Sequence, residues 1–189
     1  MESRSCLGCG TSLELYRSQA KTCSPACRKR ASRMREFPLE MTKNDRWVRR
    51  TASKRPLQLN GRSASSTNEA TWASYPAAKA SDKGVGLGYV LGEGVGCIDL
   101  DHCFVDGVLA DWARSIVEAC PGTFVEVSQS GEGLHIFGLL HEGPGWKMRD
   151  GEVAVEVYSA GRYIAVTGNR FEGAPVVLAD LSEVAAALV

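Results

Sequence analysis

The sequence predicts an α/β (α+β) protein in which a strand-rich acidic body follows a small, basic, cysteine-bearing module. Three observations carry this. From residue 84 onward, short apolar runs alternate with glycines at strand-length spacing. Only two stretches of that body, Ala110–Ala119 and Leu181–Val189, read as helices. Four of the seven cysteines fall within the first 27 residues, ahead of the body.

A length of 189 residues suits one domain with a small appendage. No run of 18 apolar residues occurs, which excludes an ordinary membrane-spanning helix. The first ten residues, MESRSCLGCG, hold no apolar signal-peptide core, so the expected location is the cytoplasm. The formal net charge of zero is two opposite charges in series. Residues 1–62 hold 15 Lys and Arg against 5 Asp and Glu, whereas residues 63–189 hold 7 against 17. A basic arm and an acidic body are expected from such an asymmetry, with a solvated basic linker as the plainer alternative.

The first element is a module over residues 1–36. Cys6, Cys9, Cys23 and Cys27 follow a C-x2-C-x13-C-x3-C spacing. Two close pairs about a dozen residues apart suit tetrahedral zinc, each pair taking one edge and the segment between folding back as a hairpin. Two disulfides are the alternative, against which a reducing cytoplasm argues. Ser24 and Pro25 suit the start of a basic helix, giving a treble-clef-like or ribbon-like zinc module whose folding energy the metal supplies.

Residues 37–82 form a basic lead-in and linker. The basic run includes Arg28, Arg30, Arg49, Arg50 and Lys54, with Trp47 and Trp72 interleaved. Cations neutralise phosphates and aromatic faces stack on bases, so this stretch is the candidate nucleic-acid-binding surface. Residues 60–71 read as a polar loop, and Asn68 to Trp72 as a short helix.

In the body, residues 83–189, Gly84–Val90 and Val95–Leu100 read as strands around a Gly92-Glu93-Gly94 turn. Helix Ala110–Ala119 stops at Pro121-Gly122. Strands follow at Thr123–Val127, Leu134–Leu140, Val153–Tyr158 and Tyr163–Val166, building one sheet dominated by hairpins. Asp99 and Asp101 share a strand face while Ile98 and Leu100 point to the core. Paired carboxylates are comfortable around a hard divalent cation, or at a solvated edge. The turn Ser128-Gln129-Ser130-Gly131-Glu132-Gly133 with His135 suits phosphate, or is a tight hairpin with a satisfied histidine. Glu156, between two valines, would be costly to bury unpaired; Glu152 has the same facing. A strand-borne carboxylate opposite the aspartates would complete an oxygen cage for one or two metals, and two metals suit in-line phosphoryl transfer. Cys97, Cys103 and Cys120 read as buried small hydrophobes.

In chain order the motifs are hDhDh, S-x-S-G-x-G-x-H and hEh, followed by Gly161-Arg162-Tyr163 and Thr167-Gly168. This resembles the primase–polymerase (prim–pol) domain of the archaeo-eukaryotic primase superfamily, nearest to the bifunctional N-terminal domains of phage and plasmid replication proteins. The resemblance covers roughly residues 44–180. It implies a prim–pol core with an RRM-like mixed β-sheet and a DNA-templated nucleotidyl transferase that makes primers. It also implies that Asp99, Asp101 and Glu156 hold Mg2+ or Mn2+. Ser128, Ser130 and His135 would contact the incoming nucleotide's phosphates. Arg162 would pair with the triphosphate, and Arg50 and Lys54 with triphosphate or template. Many relatives carry Asp at the position of Glu156. The implied partners are single-stranded DNA, NTPs or dNTPs and, as the chain ends soon after the core, a replicative helicase. Two other classes stay open: a catalytically inactive nucleic-acid-binding or origin-recognition protein, and a metal-dependent nuclease.

Overall fold

Ser24 and Pro25 start the first helix, as their residue types dictate. In the computed structural model, which describes residues 6, 11–17, 19–33 and 35–189 and all their side chains except those of 30–33, helix α1 spans Pro25–Arg33. The Ser24 hydroxyl accepts the Cys27 N–H at 3.1 Å, a satisfied cap. The chain divides into two units, Met1–Glu36 and Phe37–Val189. Cys9 and the expected Gly10 turn lie outside the described residues. The described part of residues 11–22 forms turns and one bridge residue, and no strand.

The second unit opens with α2 (Leu39–Thr42), β1 (Trp47–Arg50) and β2 (Pro56–Leu57). A 3-10 turn at Glu69–Thr71 follows, with the Asn68 side chain accepting the Ala70 N–H. Next come α3 (Tyr75–Ala80), β3 (Gly86–Val90), β4 (Val95–Leu100), the ribbon β5 (Phe104–Val105) and β6 (Val108–Leu109), and α4 (Asp111–Ala119). Strands β7 (Phe124–Val127), β8 (Leu134–Leu139), β9 (Trp146–Asp150), β10 (Val153–Tyr158) and β11 (Tyr163–Val166) precede α5 (Ser182–Leu188). No helix among the described residues is long and apolar enough to cross a membrane.

The expected single mixed sheet is corrected to two main sheets. One has the order β11-β3-β1-β2 and the other β7-β8-β4-β10-β9, beside the β5-β6 ribbon. Every pairing between named strands is antiparallel. Consecutive β3 and β4 do not pair, because the intervening turn leaves the sheet: φ is +139° at Gly92, +54° at Glu93 and +79° at Gly94. The Arg46 guanidinium donates to the Val90 and Leu91 carbonyls at 2.9 and 2.8 Å, holding the end of β3. The chain thus passes from one sheet into the other while Tyr89, Leu91, Val95 and Cys97 keep to one core.

Strands β1 (WVRR) and β9 (WKMRD) carry too much charge to announce themselves by pattern. β1 is a strand because it lies between β3 and β2, with Trp47 and Val48 buried. The five-stranded sheet has two kinds of face. Ile98, Leu100, Val125, Leu134, Ile136, Val155 and Val157 pack with Ala113 of α4 and Ala185 of α5. On the reverse, Cys97, Phe124, Phe137 and Tyr158 share a cluster with Trp47, Tyr89, Ile164 and Val166 of the other sheet. Aromatic edge contacts knit that layer, with ring centroids 5.0 Å apart for Phe37–Trp47 and 5.2 Å for Trp47–Tyr89.

Gly88 is small for a reason of space. A Cβ there would clash with Cε2 of Tyr163, whose ring covers the strand. Gly88→Ala should therefore displace Tyr163 and cost about 1–3 kcal/mol. A lowered urea midpoint at unchanged m-value would show it, and an unchanged midpoint would refute the close packing.

Candidate active site

Period-two alternation and antiparallel register together build a row of ionisable side chains across the five-stranded sheet. Glu126 of β7 lies opposite His135 of β8, His135 opposite Asp99 of β4, Asp99 opposite Glu156 of β10, and Glu156 opposite Lys147 of β9. Directly opposed residues in such a sheet are near neighbours on one face. The row crosses the face whose other residues, Cys97, Phe124, Phe137 and Tyr158, are packed in the apolar layer. Asp101 lies just beyond the end of β4, its N–H donating to the Ala154 carbonyl at 3.0 Å.

Asp99, Asp101, His135 and Glu156 line one cavity of about 680 Å³ together with Lys54, Ser65, Ser66, Arg162 and Tyr163. The row is closely bonded. His135 Nδ1 lies 2.9 Å from Glu126 Oε1, and its Nε2 is 3.7 Å from Asp99 Oδ1. Glu156 accepts from Lys147 Nζ at 2.8 Å, from the Tyr158 hydroxyl at 2.7 Å and from Arg162 at 3.3 Å. The Arg162 guanidinium also stacks on the Tyr158 ring at 4.6 Å.

Burial pushes the Asp99 carboxyl above the usual carboxylate range; nearby Asp101 and Glu156 add to this, and His135 opposes it. For His135, burial works against the imidazolium, yet the hydrogen bond to Glu126 and the charges of Asp99 and Glu126 win and raise it. Burial also works against ionised Glu156, but the bonds from Lys147 and Tyr158 and the charge of Arg162 hold it below its ordinary value.

The other residues singled out from sequence fall in different places. Ser128 and Ser130 do not line the cavity: their hydroxyls bond to each other at 3.1 Å, and Ser130 also accepts the Glu132 N–H within the turn. That turn touches the basic loop through Gln129, which donates to the Ala52 carbonyl at 2.9 Å. Lys54, in a left-handed conformation with φ of +59°, reaches the cavity. Arg50 is buried, its guanidinium against Gly86. Arg49 is spent on the Lys83 and Ala78 carbonyls. Arg28 is exposed on α1, and the Arg30 side chain lies outside the described residues.

In the first unit, the sulfurs of Cys6, Cys23 and Cys27 all lie within 4.8 Å of one another, a group able to hold a metal. None of the six described cysteines is in a disulfide. Cys9, the expected fourth ligand, lies outside the described residues.

Glu126, Lys147 and Ser65 went unnoticed in the sequence. Glu126 carried a usable signal, since it stands between two valines as Glu156 does. Lys147 and Ser65 carried none, because only strand pairing and loop path bring them to the site.

No known family model matches the chain. It is 35% identical to the DNA primase-polymerase of Nitratiruptor phage NrS-1 over 138 residues, 67% of this chain and 19% of that protein. The chain thus spans less than a fifth of that relative's length. With this likeness added to the paired aspartates and histidine on one sheet face, the chain carries a prim–pol domain related to that of phage primase–polymerases.

Proposed function

We propose that this domain is a DNA-templated nucleotidyl transferase that synthesises primers on single-stranded DNA from NTPs or dNTPs, in phage or plasmid replication in a bacterial cytoplasm. The observation that carries this reading is the row His135–Asp99–Glu156 with Asp101, which lines one cavity together with the cations Lys54 and Arg162. Carboxylates and cations lining one space suit a triphosphate bound through metal ions. The strand order β10-β4-β8-β7, with α4 crossing between β4 and β7, supports an RRM-like core.

The donor set fits Mg2+ or Mn2+. Asp99 is a largely buried carboxyl with another aspartate nearby, an arrangement that a hard divalent cation relieves. Asp101 and Asp99 would be the principal ligands. Glu156 would join them on exchanging one of its three present donors. Bound metal would offset charge at the attacking hydroxyl and on the β- and γ-phosphates. The protein's own part is positioning: Arg162 and Lys54 draw the triphosphate in, and His135 offers Nε2 toward it. The exposed Lys54 and its basic loop would hold the template that the acidic body repels, with Ser128 and Ser130 stiffening the turn beside it. A replicative helicase is the expected protein partner.

The test combines single-stranded DNA, labelled NTPs or dNTPs, and Mg2+ or Mn2+. Metal-dependent synthesis that disappears in Asp101→Ala supports the reading. DNA binding without synthesis, or cleavage of the strand, overturns it.

Cys6, Cys23 and Cys27 with Cys9 would hold one structural zinc, closed to substrate. Elemental analysis should find about one zinc per chain, lost in Cys23→Ser. Folded protein free of zinc would refute the site.

A further inference from the structure

Glu126 is the one fully buried carboxylate in the row, and nothing in the proposed chemistry uses it. It does not line the cavity. Its Oε2 accepts two backbone N–H groups, from Thr167 at 3.1 Å and Gly168 at 2.8 Å. Its Oε1 faces His135 Nδ1 at 2.9 Å. The segment that supplies those N–H groups is itself pinned to β7: the Thr167 hydroxyl donates to the Val127 carbonyl at 2.7 Å, and the Val127 N–H to Asn169 at 2.8 Å. This segment directly follows β11, which contributes Tyr163 to the cavity.

We infer that Glu126 is a positioning residue that accepts the Nδ1–H of His135, locks the imidazole plane and so turns Nε2–H to donate to the nucleotide's phosphates. This rests on the proposed nucleotidyl transfer. The physical basis is donor matching. A carboxylate that already accepts two backbone N–H groups offers His135 only an acceptor, so Nδ1 must be the donor. A carboxylate oriented by two amides and orienting an imidazole in turn is the arrangement that sets which ring nitrogen faces the ligand. The bond also ties the nucleotide-facing histidine to the chain leaving β11, a strand that lines the same cavity.

Glu126→Gln separates the roles. Its carbonyl oxygen is needed by the Thr167 and Gly168 N–H groups, so its NH2 must face His135 and demand an acceptor at Nδ1. Imidazole 15N spectra should show the Nδ1 proton in the unaltered protein and its loss in Glu126→Gln, with circular dichroism unchanged. In primer synthesis, KM for the nucleotide should rise about tenfold with kcat changed much less. In a His135→Ala background the same substitution should add nothing. An Nδ1 proton that persists in Glu126→Gln overturns the inference, as does a full KM effect in the His135→Ala background. If Glu126→Gln does not fold, the unaltered protein decides alone: absence of the Nδ1 proton refutes the role. If the domain makes no primers, the proposed function fails, and the Nδ1 proton still decides on Glu126.

Discussion

Asp99→Asn should reduce primer synthesis by about a thousandfold or more while leaving the domain folded and no less stable. The loss follows from charge. Asparagine keeps the size and one acceptor of aspartate but removes the anion that Mg2+ or Mn2+ needs. The stability follows from linkage. Burial first, then Asp101 and Glu156, raise the Asp99 carboxyl above its ordinary value, and His135 only partly offsets them. A raised folded-state pKa means that the protonated form is favoured in the fold. That contribution is fully present below the unfolded carboxyl's ordinary pKa and is lost as pH rises through the raised value. At neutral pH the ionised Asp99 is therefore a cost, which asparagine removes. Thermal melts at pH 7 should show an equal or higher midpoint for Asp99→Asn. Metal affinity and synthesis by the unaltered protein should fall on acidification at a pH above the usual carboxylate range, because the metal competes with a proton there. A variant that keeps full synthesis would remove Asp99 from the metal site. One that unfolds would mean that the carboxylate is structural.

Trp47→Ala should cost about 3–5 kcal/mol, enough to unfold a domain of ordinary stability at moderate urea. Trp47 has no exposed surface. Its ring meets Phe37, Tyr75 and Tyr89 at centroid distances of 5.0, 4.7 and 5.2 Å. Its Nε1–H donates to the Met41 carbonyl at 2.9 Å, so truncation opens a cavity and also removes a buried hydrogen bond. Trp72, half-buried and stacked on Arg46 at 4.4 Å, is the control and should cost much less on truncation. Equal urea midpoints for the two variants would mean that the basic segment around Trp47 is not the keystone of the layer between the sheets.

That segment shows where sequence reading falls short. Residues 37–82 read as a lead-in by charge, yet β1 lies inside a four-stranded sheet with Trp47 at its core. Arg46, Arg49 and Arg50 hide this, since each arginine breaks the apolar alternation that marks a strand. Arg46 and Arg49 are consumed by backbone carbonyls, a use that charge counting reads as solvent or nucleic acid. Elsewhere local chemistry sufficed. Strands β10 and β11 occupy the expected residues, and Ser24 and Asn68 cap as their side chains allow.

Which face each site residue takes was readable from the residues alone, because side-chain period along a strand is a local property. Asp99 shares its strand face with neither Ile98 nor Leu100, and Glu156 alternates with Val155 and Val157, whatever those strands pair with. Which strands lie side by side emerged only with the folded chain. Pairing is set by backbone hydrogen bonds between distant residues and by the turn at Gly92–Gly94, neither of which leaves a periodic trace. That is why the two aspartates were legible, while the row from Glu126 to Lys147, and the division into two sheets that opens a cavity beside it, were not.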